Sequence, residues 1–309
     1  MVNKRIVLLV WALMTVFVAG AQDYEDLLSR YSGENGNKFM QPVADVLGAN
    51  LNSGWFHNAY LQPGIKPQFY VGVTTMFAFL PDNSKVFTAT TEGSFFPATT
   101  VEDVPTIFGD KDGKIVEGPG STRYYFPGGI ELNYIPFATP QLSIGSFFGT
   151  DLSIRYASVK PFVSSFELED VNEINALQLF GWGLRHSVSQ YLGDLIPVDL
   201  TLGYYRTTLT SRDYLNVYAS LISIQASYRQ SIFTFYGGIG IESSGTRIEY
   251  ESVTFDLKAN NSVRATLGAC INAGPVKINA EYNASAQSTF SAGLGIGINE
   301  LEKQEKETW

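Results

Sequence analysis

Cysteine and histidine are almost missing from this chain: Cys270 stands alone, and His57 and His186 are the only histidines among 309 residues. A lone cysteine excludes an internal disulfide framework. No G-x-S-x-G elbow, H-E-x-x-H helix, P-loop or Cys cluster occurs, so no catalytic, cofactor-binding or metal-binding residues are assigned. Charge is scarce too, at 17% of residues with a net charge of −9, where soluble domains carry about 25% charged residues. An acidic chain lacks the basic footprint that nucleic acid requires. Beyond the N-terminal segment no apolar run approaches the roughly 18 residues of a transmembrane helix.

What is present begins with an export signal. "MVNKR" is basic, Ile6 to Val18 is nearly unbroken apolar sequence, and Ala19 and Ala21 form an A-x-A site. The pattern predicts a signal peptide over 1–21 with cleavage after Ala21. Loss of Lys4 and Arg5, with no acid, takes the net charge from −9 to −11. An exported chain this poor in cysteine suits a bacterial envelope.

The composition is otherwise apolar: 45% hydrophobic, 14% aromatic and 29 glycines. Its order explains this. In "VRATLGACINAG", "VKINAEYNASA" and "TFSAGLGIGI" apolar residues alternate with polar ones or glycine, which means strands with one apolar and one polar face. "PVDLTLGYYR", "VYASLISIQASYRQ", "FTFYGGIGIE" and "GTDLSIRY" repeat the pattern, with turns as short as "AGP" at 273–275. Runs near ten residues match the roughly 9–11 of a membrane-spanning strand rather than the five or six of a globular one. The expected fold is therefore all-β, an antiparallel up-and-down transmembrane barrel of about 12–14 strands over 67–299. Ser84–Gly93 is an uncertain strand, and Gln141–Val159 reads as two strands or one bent one. A soluble β-sandwich is the alternative. Aromatics near strand ends, in "RYYFP" at 123–127 and "YY" at 204–205, would serve as interfacial girdles. By parity Arg155, Arg185, Arg229, Arg264, Lys277 and Glu281 face the lumen.

Residues 22–66 place apolar side chains such as Phe39, Val43, Val46 and Leu47 at mixed helical spacings. They read as a short helical or irregular segment, either a plug in the lumen or a periplasmic lead-in over the barrel mouth. Their polar letters lean to the second. Residues 94–121 form a long connection expected at the cell surface, where such loops meet partners. Within it "GDKDG" hints at calcium, yet a loop starting at Asp110 puts Ser121 where an EF-hand needs Glu, so it reads as a solvated turn. The charged tail 300–309 reads as periplasmic. His57, in "GWFHNA", has a surface or capping role. In "LQLFGWGLRHSVSQY" His186 and Ser187 project to opposite faces of one strand and cannot pair as base and nucleophile. His186 then faces lipid near Tyr191, and Arg185 enters the lumen beside space cleared by Gly181 and Gly183.

"YSGENGNKFMQPVADVLGANLNSGWFHNA" with "FYVGVTTMFAFLPD", and later "TPQLSIGSFFGTDLSIRY" and "GWGLRHSVSQY", resemble signature blocks of an exported family common in Bacteroidota envelopes. The resemblance spans nearly the whole mature chain. It implies an outer-membrane β-barrel whose domain has no established function. A distant architectural likeness links it to fatty-acid-transporter barrels, which also carry an N-terminal segment before their strands. The expected function is non-enzymatic: a narrow outer-membrane pore or carrier for small or hydrophobic solutes. The alternative is a surface-binding or scaffold protein, and a more remote one is a membrane-embedded lipid hydrolase or acyltransferase.

Overall fold

The computed structural model describes residues 33–91, 97–158, 177–192, 196–211, 214–250 and 253–298. The signal-peptide and tail assignments lie outside these residues. Helix α1 (Gly33–Leu51) comes first, then β1 (Ile65–Phe79), β2 (Val86–Thr90), β3 (Thr100–Pro105), β4 (Lys114–Glu117) and β5 (Arg123–Phe126). There follow β6 (Tyr134–Phe147), β7 (Thr150–Ser158), β8 (Leu177–Ser187), a helical turn α2 (Ser189–Leu192), β9 (Asp199–Ser211) and β10 (Leu215–Gln230). The chain continues through β11 (Phe233–Tyr250), β12 (Val253–Lys258), β13 (Val263–Ala273), β14 (Val276–Ala284) and β15 (Thr289–Ile298). No described helix is long and apolar enough to cross a membrane.

Ten strands close a barrel in the order β1-β6-β7-β8-β9-β10-β11-β13-β14-β15, with β15 returning to β1. All of these pairings are antiparallel. Closure leaves no unpaired edge among the ten wall strands. The sequence expects twelve to fourteen strands, and the difference has two causes. The described residues of 80–133 form two separate ribbons, β2–β3 and β4–β5, outside the wall; of the doubtful Ser84–Gly93 run, Val86–Thr90 is β2 and its end lies outside the described residues. Strand β12 pairs beyond the stretch of β11 used by β13, so the two continue one another along the same edge. Gln141–Val159 resolves as two strands joined at Phe148 and Gly149, whose φ values of 51° and 71° suit the turn that follows the twist of a hairpin.

Accessibility follows the alternation. Strand β14 reads exposed-buried from Val276 to Ala284 without interruption. Outward on the wall stand Val71, Ile222, Ile239, Ile241, Leu267 and Leu294, 53–74% exposed. Aromatic side chains line up across strands: Tyr156 sits opposite Phe180, and Tyr282 opposite Phe290, itself opposite Phe77. The girdle assignment is corrected in part. Tyr124 and Tyr125 belong to β5 in a ribbon, and Tyr205 points inward and is fully buried, while Tyr204 faces out.

The two ends of the barrel differ. Tight turns at 148–149, 231–232 and 274–275 lie at one end. The long connection 80–133 leaves β1 and enters β6 at the other. The helix starts exposed at one mouth, and residues 47–59 run inside against inward-facing wall side chains, so the segment is a plug and not only a lead-in over the mouth. Helix α1 starts at the long-connection end, where Asn35 Nδ2 donates to Thr90 O at 2.7 Å. The following stretch reaches the tight-turn end, where Phe148 N donates to Gly64 O and Gly149 N to Gln62 O. The reason is chemical: polar letters read as solvated find a polar lumen instead of bulk water.

Candidate functional site

The lumen holds the largest concentration of buried polar groups, and residues 49–59 are their common partner. After Leu51 the helix gives way to irregular chain. Gly54 adopts φ 71°, and a Cβ there would meet the Thr74 side chain at 2.4 Å, so glycine is needed for both conformation and space. The carbonyls and N–H groups freed where the helix ends must be satisfied locally, and barrel side chains do this.

Arg155 of β7 donates from Nη1 to Ser53 O at 2.8 Å and from Nη2 to Gly54 O. Its Nε reaches Gln141 Oε1, and its guanidinium lies 3.9 Å from the centroid of the Trp55 ring. Gln141 Nε2 closes the loop by donating to Trp55 O. Arg264 of β13 pairs with Glu242 of β11 at 2.8 Å, with both side chains at most 1% exposed. It also donates to Ala49 O and to Ser53 Oγ, while Asn52 Nδ2 donates to the same Glu242 carboxylate. Glu281 of β14 accepts from Gly54 N at 2.8 Å and from Asn283. Arg185 of β8 is ion-paired with Asp151 and donates to Asn58 O at 2.6 Å. Thr201 and Ser227 hold the carbonyl and N–H of Ala59.

Of the six residues taken by parity as lumen-facing, Arg155, Arg185, Arg264, Lys277 and Glu281 are buried inside the wall. Four of these bond the plug, whereas Lys277 Nζ donates to Asn272 Oδ1 beside its own turn. Arg229 lies near the tight-turn end of β10, half exposed, with its Nε donating to Ser231 O. Asp151, Gln141 and Glu242 escaped the parity list. Asp151 and Gln141 share the phase of Arg155 and Ser143 on their strands, so the same signal could have found them. The space at Gly181 and Gly183 is not left for Arg185. A Cβ at Gly183 would lie 2.3 Å from the Tyr205 ring, and one at Gly181 would lie 3.0 Å from Trp55. Tyr236 over Gly268, and Tyr70 over Gly72 and Gly295, repeat the arrangement. Trp55 stacks on Tyr205 with centroids 4.9 Å apart.

His57 is corrected from the surface to the interior, where it packs 4.5 Å from Tyr70. His186 faces outward, its Nδ1 2.7 Å from Thr150 Oγ1 and its Nε2 2.8 Å from Tyr191 Oη, while Ser187 is buried on the inner side. The two do not form a base–nucleophile pair. Among the described residues no group of three or more His, Cys, Asp or Glu side chains comes together to hold a metal. At "GDKDG" Asp110 Oδ1 accepts from Asp112 N, an ordinary Asx turn. The expected surface loop 94–121 is in part built: Val101 and Val104 of β3 pack with Phe126 against Phe39 and Met40 of α1.

The chain is similar to the Ralstonia pickettii toluene transporter TbuX at 8% identity, covering 82% of this chain and 97% of that one with a TM-score of 0.26. A loop L8 deletion mutant of OmpT, an outer membrane protein of Vibrio cholerae, shows 10% identity, coverage of 75% and 99%, and a TM-score of 0.29. For the translocator domain of the autotransporter NalP from Neisseria meningitidis the figures are 11% identity, 93% and 99%, and 0.26. None of the curated proteins matches the chain. A family model matches residues 1–298, and the chain belongs to that family, described as a family of unknown function (DUF6588).

Proposed function

We propose that this family member is an outer-membrane β-barrel held shut by its own N-terminal segment, which works at the cell surface as a binding protein and not as an open pore. The membrane part of the reading rests on the outer wall. Apolar side chains such as Ile239, Ile241 and Leu267 stand about 70% exposed there, a surface that water does not reward and lipid does. In such barrels the long connections face outward, so the β2–β5 ribbons would be on the surface and the tight turns in the periplasm. The observation that carries the reading is the clamped plug: Arg155, Arg264 and Glu281 fix residues 49–54 in the lumen. A barrel of about ten strands has little interior to spare.

Planar-bilayer recording on the purified full chain tests this. The wild type is expected to give no steady conductance, and the Arg155→Ala, Arg264→Ala double variant to flicker open. Steady steps from the wild type would overturn the reading. Heat-shifted migration on denaturing gels serves as the fold control. A second reading, a carrier that passes a small solute by shifting the plug, draws support from the polar character of the clamp, whose bonds water can replace one at a time. Solute uptake into liposomes without conductance would favour it.

A further inference from the structure

Arg206 of β9 points away from the lumen and is exposed on the outer wall. Cross-strand pairing puts it in a row that runs from Trp182 through Arg206 to Ser220 and Ser243. The next outward row, nearer the long-connection mouth, holds Tyr156, Phe180, Thr208 and Tyr218. We infer that Arg206 and its row form a docking site for a lipid with an anionic phosphate head, in the leaflet on the long-connection side. The inference rests on the membrane part of the reading above and goes beyond it.

Depth is set by two tyrosines of β10. Tyr218 and Tyr228 both face outward, ten residues apart. At a rise of about 3.3 Å per residue and a tilt near 40°, they stand about 25 Å apart along the barrel axis, the height of an apolar band between its aromatic girdles. Tyr228 therefore marks the boundary at the tight turns and Tyr218 the opposite one. Arg206 lies one outward row inside the Tyr218 boundary.

A guanidinium at that depth has lipid on its outer side and needs an anion. The neighbouring wall supplies none: among the described residues of β8, β9 and β10 no acidic side chain faces outward. Arg206 Cζ lies 6.0 Å from the Tyr218 centroid, the outer limit of a cation–π contact. Arg247, farther along β11, also faces outward but is paired with Glu249 at 2.6 Å.

Phosphate is the acid of a lipid head, and the planar guanidinium fork can hold two of its oxygens at once. Free phosphate would have to pass below the Tyr218 row into the apolar band, so depth selects a lipid-borne anion. Ser220 and Ser243 are small beside the aromatic row above them and leave room next to the guanidinium. Trp182, edge-on to Tyr204 at 5.4 Å, stands on its other side, and exposed Leu202 and Ile222 below offer apolar wall to an acyl chain.

The test is native mass spectrometry of the full chain in an uncharged maltoside detergent. Phosphatidylglycerol, diacylglycerol with the same acyl chains, and inorganic phosphate are titrated separately. Phosphatidylglycerol is expected to stay bound and diacylglycerol to be lost. Arg206→Gln should weaken retention by about tenfold, and Arg206→Lys by less, because the charge remains without the fork. Arg247→Gln should change nothing. Retention indifferent to Arg206→Gln, an equal loss in Arg247→Gln, equal retention of diacylglycerol, or displacement by millimolar inorganic phosphate would overturn the site. Heat-shifted migration shows that each variant is folded. A chain that stays dispersed without detergent would instead overturn the membrane reading, so the two fail separately.

Discussion

The two halves of the plug are held by different physics. From Phe39 to Leu51 the helix packs through apolar clusters: Phe39 and Met40 against Val104, Phe126 and Phe255, and Leu47 and Leu51 against Met76, Phe137 and Leu209. From Ser53 to Ala59 the chain is irregular and is held by directional bonds from Arg155, Arg264, Arg185 and Thr201. Apolar packing is tolerant of small shifts but demands volume. Hydrogen-bonded clamping fixes position and demands complementary partners. The helix therefore anchors the plug at the long-connection mouth, and the irregular stretch sets its register in the lumen.

The sharpest way to break this contrast is Arg264→Ala, which leaves Glu242 buried without its cation and should cost about 3–5 kcal/mol. Urea unfolding in liposomes measures the loss. Adding Glu242→Gln should recover about half of it by removing the stranded charge. Phe39→Ala belongs to the same upper range, about 3–5 kcal/mol, yet no charge substitution should repair it. Phe39→Leu should lose less than about 1.5 kcal/mol because volume is what matters there. If charge matching rescued Phe39→Ala, or volume alone rescued Arg264→Ala, the division would collapse. Gly183→Ala comes next. Its Cβ would press on the Tyr205 ring that stacks on Trp55, and about 1–3 kcal/mol of overpacking is expected, read as a lower heat-shift temperature.

The smallest effect lies at the exposed start of the helix. Lys38 hydrogen-bonds the Glu34 carboxyl and holds it below its ordinary range. A depressed acid stabilises the fold above its unfolded-state pKa and loses that contribution as pH falls through its folded value. The group is fully exposed, so Glu34→Gln should leave unfolding midpoints unchanged at neutral and mildly acidic pH. A measurable loss at neutral pH would mean that the helix start is tied down more firmly than its packing implies.

How far the sequence reaches can be judged from particular residues. Arg155, Arg264, Lys277 and Glu281 were legible because a period of two assigns faces without any knowledge of neighbours. The count of strands was not, because 80–133 has strand-like letters but its pairing partners lie within the connection itself. Tyr205 was misread for a related reason. A tyrosine beside another tyrosine looks like a girdle, and only the glycine opposite, on β8, makes inward room for its ring. The depth of the plug was illegible because Asn50, Asn52, Ser53 and Asn58 carry the same polar letters whether water or a barrel interior satisfies them. His57 shared that fate.

The plug differs from a cork in one respect that limits what it can do. Its helix begins at one mouth, bonded to Thr90, and its far end is bonded at the other mouth beside Phe148 before the chain turns directly into β1. It is a thread through a ring. A cork can be expelled whole; a thread continuous with the wall at β1 can only slide, slacken or be drawn through lengthwise. Any passage that opens while the thread is in place opens alongside it, between it and the wall.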